Sequence, residues 1–431
     1  MTISDLYKIF MQYPSITTDS RKIKEGVIYF ALKGEKFDGN NFAREALDKG
    51  AAYAVIDNPA CQVSDRTILV EDVLSTLQAL ANFHRRQLDI PVLAITGTNG
   101  KTTTKELVKA VLSQKYNVLA TEGNLNNHIG VPLTLLSIEP RHNFAIIEMG
   151  ANHPYEIQTL CKIAEPSFGL ITNIGKAHLE GFGGFEGVKK TKKELYDFLG
   201  ESQGTIFYNA ENEILTTLLA SIKTQKLSYG VKSGDICKGS LTPGDLFLSA
   251  HVECSDSSSF DVKTQLIGNY NFENVLAAAA IGKYFEVSNE SIRTAIVNYK
   301  PVNNRSQLTI TSNNTLFVDC YNANPSSTEL SLLNLFAVKA SPKIAILGDM
   351  LELGDDAETE HKKMIELLQA NKCNALLVGP VYNKIAKSYG ILSFEKVADL
   401  STYLSQHILK GYTILIKGSR GIQLEKVLGQ L

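Results

Sequence analysis

Short apolar runs separated by stretches of helical periodicity set the pattern of this chain. Ahead of residue 88, a helix-like opening is followed by VIYFAL (27–32), YAVID (53–57) and TILV (67–70), with the polar segment KGEKFDGNNF after the first of them. Short strands and helices with such turn signals predict a small α/β module. A helix-compatible stretch from Val73 to Leu88 then meets Asp89-Ile90-Pro91. Proline disfavours helix in the residue before it, so the first boundary falls there.

From Pro91 the pattern becomes strand–helix alternation. PVLAIT (91–96), FAIIEM (144–149), FGLITNI (168–174) and TIFYNA (205–210) read as buried strands, and Lys101–Gln114 reads as a helix. Such alternation implies a parallel sheet. Residues 226–267 break the rhythm with period-2, Ser/Gly-punctuated runs that read as antiparallel strands, and an Ala-rich helix over 272–285 closes the segment. After Lys300-Pro301 a third module begins, with strands TLFVD (315–319), KIAILG (343–348), ALLVG (375–379) and TILIKG (413–418). It is a second open α/β sheet, Rossmann-like but without a GxGxxG fingerprint. The predicted class is α/β in three domains: 1–88, 89–301 with a mostly parallel sheet, and 302–431.

The strongest local signal is TGTNGKTTTKE, 96–106, which follows a strand and opens a helix, the context of a phosphate-binding loop. Gly97 and Gly100 let backbone N–H groups turn toward a phosphate at the positive helix end. Lys101 is placed to reach the β/γ-phosphates, and the Thr102 hydroxyl to bind Mg²⁺. The strict GxxxxGK[ST] pattern fails at Ile95, yet the strand–loop–helix context points to ATP. Glu148 ends the FAIIEM strand and His178 follows the FGLITNI strand. Ligands bind outside the carboxyl ends of parallel strands, so both should share an edge with the loop, where a carboxylate and an imidazole can hold a divalent cation. VKKTKKEL (188–195) reads, on spacing alone, as a solvated basic helix face.

Composition narrows the class. The 431 residues carry 43 Lys+Arg against 45 Asp+Glu, a net charge of −2, which argues against a dedicated nucleic-acid binder. No apolar run reaches the roughly 18 residues that span a bilayer, and MTISDLYKIFMQY lacks the basic and apolar regions of a signal peptide. The cysteines at 61, 161, 237, 254, 320 and 373 include no CxxC pair, so neither a disulfide framework nor a zinc site is indicated. The expectation is a reduced, cytoplasmic, multidomain enzyme without nucleic-acid or membrane partners.

These motifs, in this order, resemble the ATP-dependent Mur ligases of peptidoglycan synthesis, most closely the branch that adds a dipeptide. The likeness covers essentially the whole chain and rests on TTDSRKIKEGVIYFALKGEKFDGNNF (17–42), TGTNGKTTTKE, TEGNLNNHIGVPLTLL (121–136), EMGANHPYEI (148–157), NIGKAHLEGFG (173–183), GNYNFENVLAAAAIG (268–282), NNRSQ (303–307), DCYNANPSS (319–327), LGDMLELG (347–354) and KGSRG (417–421). It implies a monomeric, carboxylate–amine ligase that joins D-alanyl-D-alanine to UDP-N-acetylmuramoyl-tripeptide through an acyl phosphate, using ATP and two Mg²⁺ ions. The N-terminal segment then takes the UDP part, through Ser20 and Arg21, and the central segment is the ATPase.

Residue by residue, the resemblance implies Mg²⁺ at Thr102, Glu148 and His178, and a second ion at a carbamylated Lys192. Lys193 is the alternative, because TKKEL departs from the AKGE-like form of the family. Lys101, Lys192 and His178 are the implied catalytic residues. The loop residues Gly97, Thr98, Asn99, Gly100, Lys101, Thr102 and Thr103 would hold the phosphates. Asn271 and Asn274 match adenine-contacting positions, where this chain has Tyr270 in place of the usual His. Arg305 and Asp319 match residues that hold the nucleotide from the C-terminal side. Asn124, Asn127 and His128 look onto the UDP-sugar-peptide, while Lys417, Ser419 and Arg420 fit a loop-capping cluster nearly as well as a substrate role.

The nearest alternatives are the tripeptide-forming ligase and folylpolyglutamate synthase. The DSR and ALKGEKFDG segments favour a UDP-sugar over a folate; NANP and LGDMLELG favour the dipeptide-adding branch. A phosphate-loop switch or motor would instead carry a Walker-B-type Asp and no second metal cluster, and a catalytically dead scaffold would not fill every catalytic position. Three segments around one site predict domain closure when ATP and the UDP substrate bind together. Small-angle scattering should show compaction with both ligands; an unchanged profile would count against it.

Overall fold

The computed structural model describes residues 1–243, 246–301, 304–340 and 342–431. Asn303 of the NNRSQ motif and the predicted boundary at 302 lie outside the described residues. The N-terminal segment forms a four-stranded parallel sheet in the order Ile16–Thr17, Ile28–Phe30, Tyr53–Ile56, Thr67–Leu69. Its first helix, Ile3–Gln12, starts at a capping box in which Thr2 Oγ1 accepts from Asp5 N while the Asp5 carboxylate turns back to Thr2. The helix Val73–Arg86 is capped by Asp72, which accepts from Ser75 N at 2.7 Å. Its apolar face, Leu77, Leu80 and Ala81, packs on the central segment against Val131, Leu135 and Leu160. One continuous apolar core therefore runs across the boundary predicted near 88.

The central sheet has nine strands, in the order 259–267, 247–254, 237–242, 225–230, 205–209, 168–171, 92–96, 144–148, 118–120. Seven run parallel, from Val118–Ala120 through Cys237–Thr242. The antiparallel expectation for 226–267 holds for the pairing of Cys237–Thr242, Phe247–Cys254 and Ser259–Ile267, and fails for the first strand of that run. Gln225–Gly230 pairs in parallel with Thr205–Asn209. The helix Glu213–Leu219 between them supplies the crossover that a parallel pair needs. Val118–Ala120 was too short to leave a periodic signal.

The C-terminal sheet orders its strands 307–310, 315–318, 413–417, 343–348, 374–378, 393–394. The inner four are the four predicted ones. Gln307–Ile310 adds an antiparallel edge and Ser393–Phe394 a short parallel one, neither of them anticipated. Apolar clusters cover both faces of this sheet, which is why its strands read as continuous hydrophobic runs. The carboxyl ends of Val92–Thr96, Phe144–Glu148 and Phe168–Ile171 open on the same cavity as those of Thr315–Val318 and Thr413–Lys417. Leu107 is fully buried between the phosphate-loop helix and the central sheet. Leu107→Ala should lower unfolding free energy by about 2–5 kcal/mol, read from the shift in a urea denaturation midpoint.

Candidate active site

The phosphate loop is shaped by glycine at two points. Gly100 has φ +78°, and a Cβ there would lie 2.7 Å from Asn274 Oδ1; a Cβ on Gly97 would lie 2.0 Å from Thr172 Oγ1. Backbone conformation and close approach both exclude larger residues. The loop is pinned from the neighbouring strand end: Asn99 N donates to Asn173 Oδ1 at 3.0 Å, and Thr172 Oγ1 donates to Asn99 O at 2.7 Å. The turn closes around Lys101, whose Nζ donates to Gly97 O at 2.7 Å and Thr98 O at 3.0 Å. Burial lowers the Lys101 ammonium to about 8, with Glu148 opposing the shift and Arg305 adding to it.

Glu148, 1% exposed, is the anionic centre. Thr102 Oγ1 donates to its carboxylate at 3.0 and 3.2 Å, Asn126 Nδ2 donates at 2.8 Å, and Lys105 Nζ stands at 3.7 Å. A buried carboxylate beside a hydroxyl and an amide is a hard oxygen donor set, suited to Mg²⁺. His178 lines the same cavity but lies against Glu352 rather than Glu148. Among the described residues, no three His, Cys, Asp or Glu side chains gather into a cluster that could hold a metal by themselves.

Lys192 overturns the spacing-only reading of VKKTKKEL. It is 3% exposed and lines the cavity, whereas Lys189 and Lys193 pair outward with Glu186 and Asp197 on their own helix, Phe185–Glu201. Burial, with Lys101 nearby, lowers the Lys192 amine from 10.5 to about 7. A neutral amine in appreciable amount at pH 7 is what reaction with CO₂ requires. The carboxylate of Glu194, two residues on, accepts from Tyr155 N and Gln158 N and caps the helix Glu156–Ala164.

The opposite wall is assembled from the last two segments. Asn271 and Asn274 are buried and joined, Asn274 Nδ2 donating to Asn271 Oδ1 at 2.9 Å, while Thr104 Oγ1 donates to Asn274 Oδ1. Tyr270, at the position where the resemblance predicts His, bonds Ser306 Oγ at 3.0 Å. Arg305 stacks on Tyr321 at 3.6 Å, and Asp319 takes an ion pair from Lys417 at 2.7 Å and a hydroxyl from Ser331 at 3.0 Å. Asn324 Nδ2 reaches across to Asn99 Oδ1 at 2.8 Å. Together these groups enclose about 770 Å³.

Asn124, Asn127 and His128 also line the cavity; Asn127 Oδ1 additionally accepts from Gly130 N at 2.9 Å. Ser20 and Arg21 do not line it. Arg21 is exposed and its guanidinium is held by Asp19 at 2.9 Å. Ser419 serves the loop-capping role, accepting from Leu351 N and donating to Ala323 O.

Three family models match the chain: a "Mur ligase family, catalytic domain" over 12–88, a "Mur ligase middle domain" over 95–282, and a "Mur ligase, glutamate ligase domain" over 304–420. The UDP-N-acetylmuramoyl-tripeptide–D-alanyl-D-alanine ligase of Escherichia coli is 34% identical, over 97% of this chain and 93% of that one. Among solved structures, MurF from Acinetobacter baumannii superposes with a TM-score of 0.88 at 29% identity, covering 97% of this chain and 93% of that one. MurF ligase from Thermotoga maritima in complex with ADP gives 0.85 at 28%, covering 96% of each. The chain belongs to the Mur ligase family.

Within this Mur ligase, several cavity residues left no sequence signal of their own. Asn126 lies in TEGNLNNHIGVPLTLL between Asn124 and Asn127, and only the fold turns it to Glu148. Asn173 lies just past the buried strand Phe168–Ile171, and that strand-end position is its clue in the sequence. Tyr321 and Ser331 become partners of Arg305 and Asp319 only through packing.

Burial of Lys192 has a consequence for stability. Between about pH 7 and 10.5 the unfolded chain holds more protons at this amine than the folded one, so folding becomes more favourable as pH rises through that window. The penalty is greatest below pH 7. In CO₂-depleted buffer, Lys192→Met should raise Tm at pH 6 relative to the parent, by a margin that shrinks toward pH 9; a margin independent of pH would contradict it.

Proposed function

We propose that this protein is an ATP-dependent ligase that adds D-alanyl-D-alanine to UDP-N-acetylmuramoyl-tripeptide in peptidoglycan precursor synthesis. The observation that carries the reading is the near full-length match to relatives named for that reaction, in a chain whose phosphate loop, buried Glu148 and buried Lys192 share one cavity. The first step transfers the γ-phosphoryl of ATP to the terminal carboxylate of the tripeptide, giving an acyl phosphate. The amine of the dipeptide then attacks that carbonyl, and phosphate leaves from the tetrahedral intermediate.

Two anions must meet in the first step, so neutralising and aligning them is the main task. The phosphate loop offers backbone N–H groups at the start of helix Lys101–Leu112, and Lys101 supplies the local cation. Thr102 and Glu148 are the groups we assign to Mg²⁺, with His178 and a carbamate on Lys192 completing a two-ion set. When bound, the ions neutralise phosphate charge and hold the reacting oxygens in place. Carbamylation turns the Lys192 amine from a cation into an anionic oxygen donor. Asn271, Asn274, Arg305 and Asp319 form the nucleotide wall in this reading. Asn124, Asn127 and His128 face the UDP substrate, and we place the uridine diphosphate on the N-terminal segment near Ser20 and Arg21. We assign 1–88, 89–301 and 302–431 as the three domains of a monomer acting in the cytoplasm; no helix among the described residues is long and apolar enough to cross a membrane.

Phosphate release with UDP-MurNAc-tripeptide should be stimulated by D-alanyl-D-alanine and not by single amino acids; stimulation by a single amino acid alone rejects the assignment. Lys101→Ala should lower the rate by about 10²–10³. Lys192→Ala should abolish ligation, with added bicarbonate stimulating only the parent enzyme, and near-normal turnover would end its role.

A further inference from the structure

The LGDMLELG segment (347–354) has no part in the chemistry above, yet it is built to present one side chain. Met350 and Leu353 are buried anchors, each 2% exposed. Met350 N donates to His361 Nε2 at 3.0 Å, Leu351 N to Ser419 Oγ at 3.0 Å, and Asp349 accepts from Val381 N and Tyr382 N at 2.9 Å. Between the anchors, Glu352 adopts φ +66°, a left-handed conformation uncommon for a residue with a side chain. It is directed across the seam to His178, itself left-handed at φ +50°. Glu352 Oε2 is in ion-pair contact with His178 Nδ1, a buried atom that has no other polar partner among the described residues. The seam is closed on either side by Lys176 with Glu360 at 3.1 Å and by Gly354 against Glu180.

A metal-binding histidine uses one ring nitrogen, and the partner of the other fixes its tautomer and raises its basicity. We propose that Glu352 is a positioning residue for His178: it holds Nδ1 as the protonated nitrogen and leaves Nε2 for a divalent cation. Glu352 arrives from the C-terminal segment and His178 from the central one, so the cation site is complete only when the two segments are docked. This rests on the assignment of His178 to the cation.

The test uses the full-length chain with ADP and Mn²⁺ as the probe, titrated by electron paramagnetic resonance, with Tm confirming that each variant folds. Glu352→Ala should weaken Mn²⁺ binding by about 10- to 100-fold, the usual effect of losing a histidine's outer partner. Glu352→Gln, which keeps an acceptor oxygen without the charge, should fall between it and the parent. His178→Ala should weaken binding at least as much, and adding Glu352→Ala to it should cost nothing more. Lys176→Met, which breaks the neighbouring ion pair without touching His178, should bind Mn²⁺ as the parent does. Unchanged binding in Glu352→Ala with weakened binding in His178→Ala overturns the role of Glu352 alone. Additive losses, or an equal loss in Lys176→Met, also overturn it. Unchanged binding in His178→Ala instead removes the assignment of His178.

Discussion

Burial of like charges around one carboxylate is the constraint on which this structure turns. Glu148 is withdrawn from water together with Thr102 and Lys105 and is bonded by half-buried Asn126, while buried Lys192 and half-buried Lys101 line the same cavity. An ionised group in such a place is costly unless it is paired or titrates. Glu148 is paired. The two lysines titrate instead, lowered to about 8 and about 7 by desolvation, with Lys101 adding to the shift of Lys192. Charge that is expensive to leave bare is charge ready to meet phosphate, a cation or CO₂. The overall charge of −2 fits this economy, because anionic substrates are met by a few local groups and need no basic surface.

The second requirement is to bring two sheets edge to edge. Parallel strands present their carboxyl ends together, and the central and C-terminal sheets open on one cavity. On the cavity side the joint is polar, Asn99 with Asn324, Lys176 with Glu360 and His178 with Glu352, while Phe247 and Ile267 of the central sheet pack into the C-terminal apolar core. The N-terminal joint is more extensively apolar, because helix Val73–Arg86 shares a continuous core with the central segment. Apolar contact over that area resists separation.

Much of the fold could be read directly from the chain. Strand Val92–Thr96, the loop and helix Lys101–Leu112 follow from an apolar run, two glycines and helical spacing, all local properties. Glu148 and His178 are legible by position, since one ends a buried parallel strand and the other follows one. The strands that escaped notice are the short Val118–Ala120 and the edge strands Gln307–Ile310 and Ser393–Phe394, whose half-polar residues carry no periodic signal. The parallel pairing of Gln225–Gly230 escaped as well, because pairing partners are chosen by topology and not by the strand's own pattern.

By itself, the sequence determined the α/β class, the position of the phosphate loop and, through the order of its motifs, the family. These depend on neighbours in the chain and on period. Only the tertiary structure decided which of four lysines on one helix is buried and that Glu352 meets His178. Those outcomes depend on burial and on partners far apart in the chain, and desolvation acts only once the folded surroundings exist.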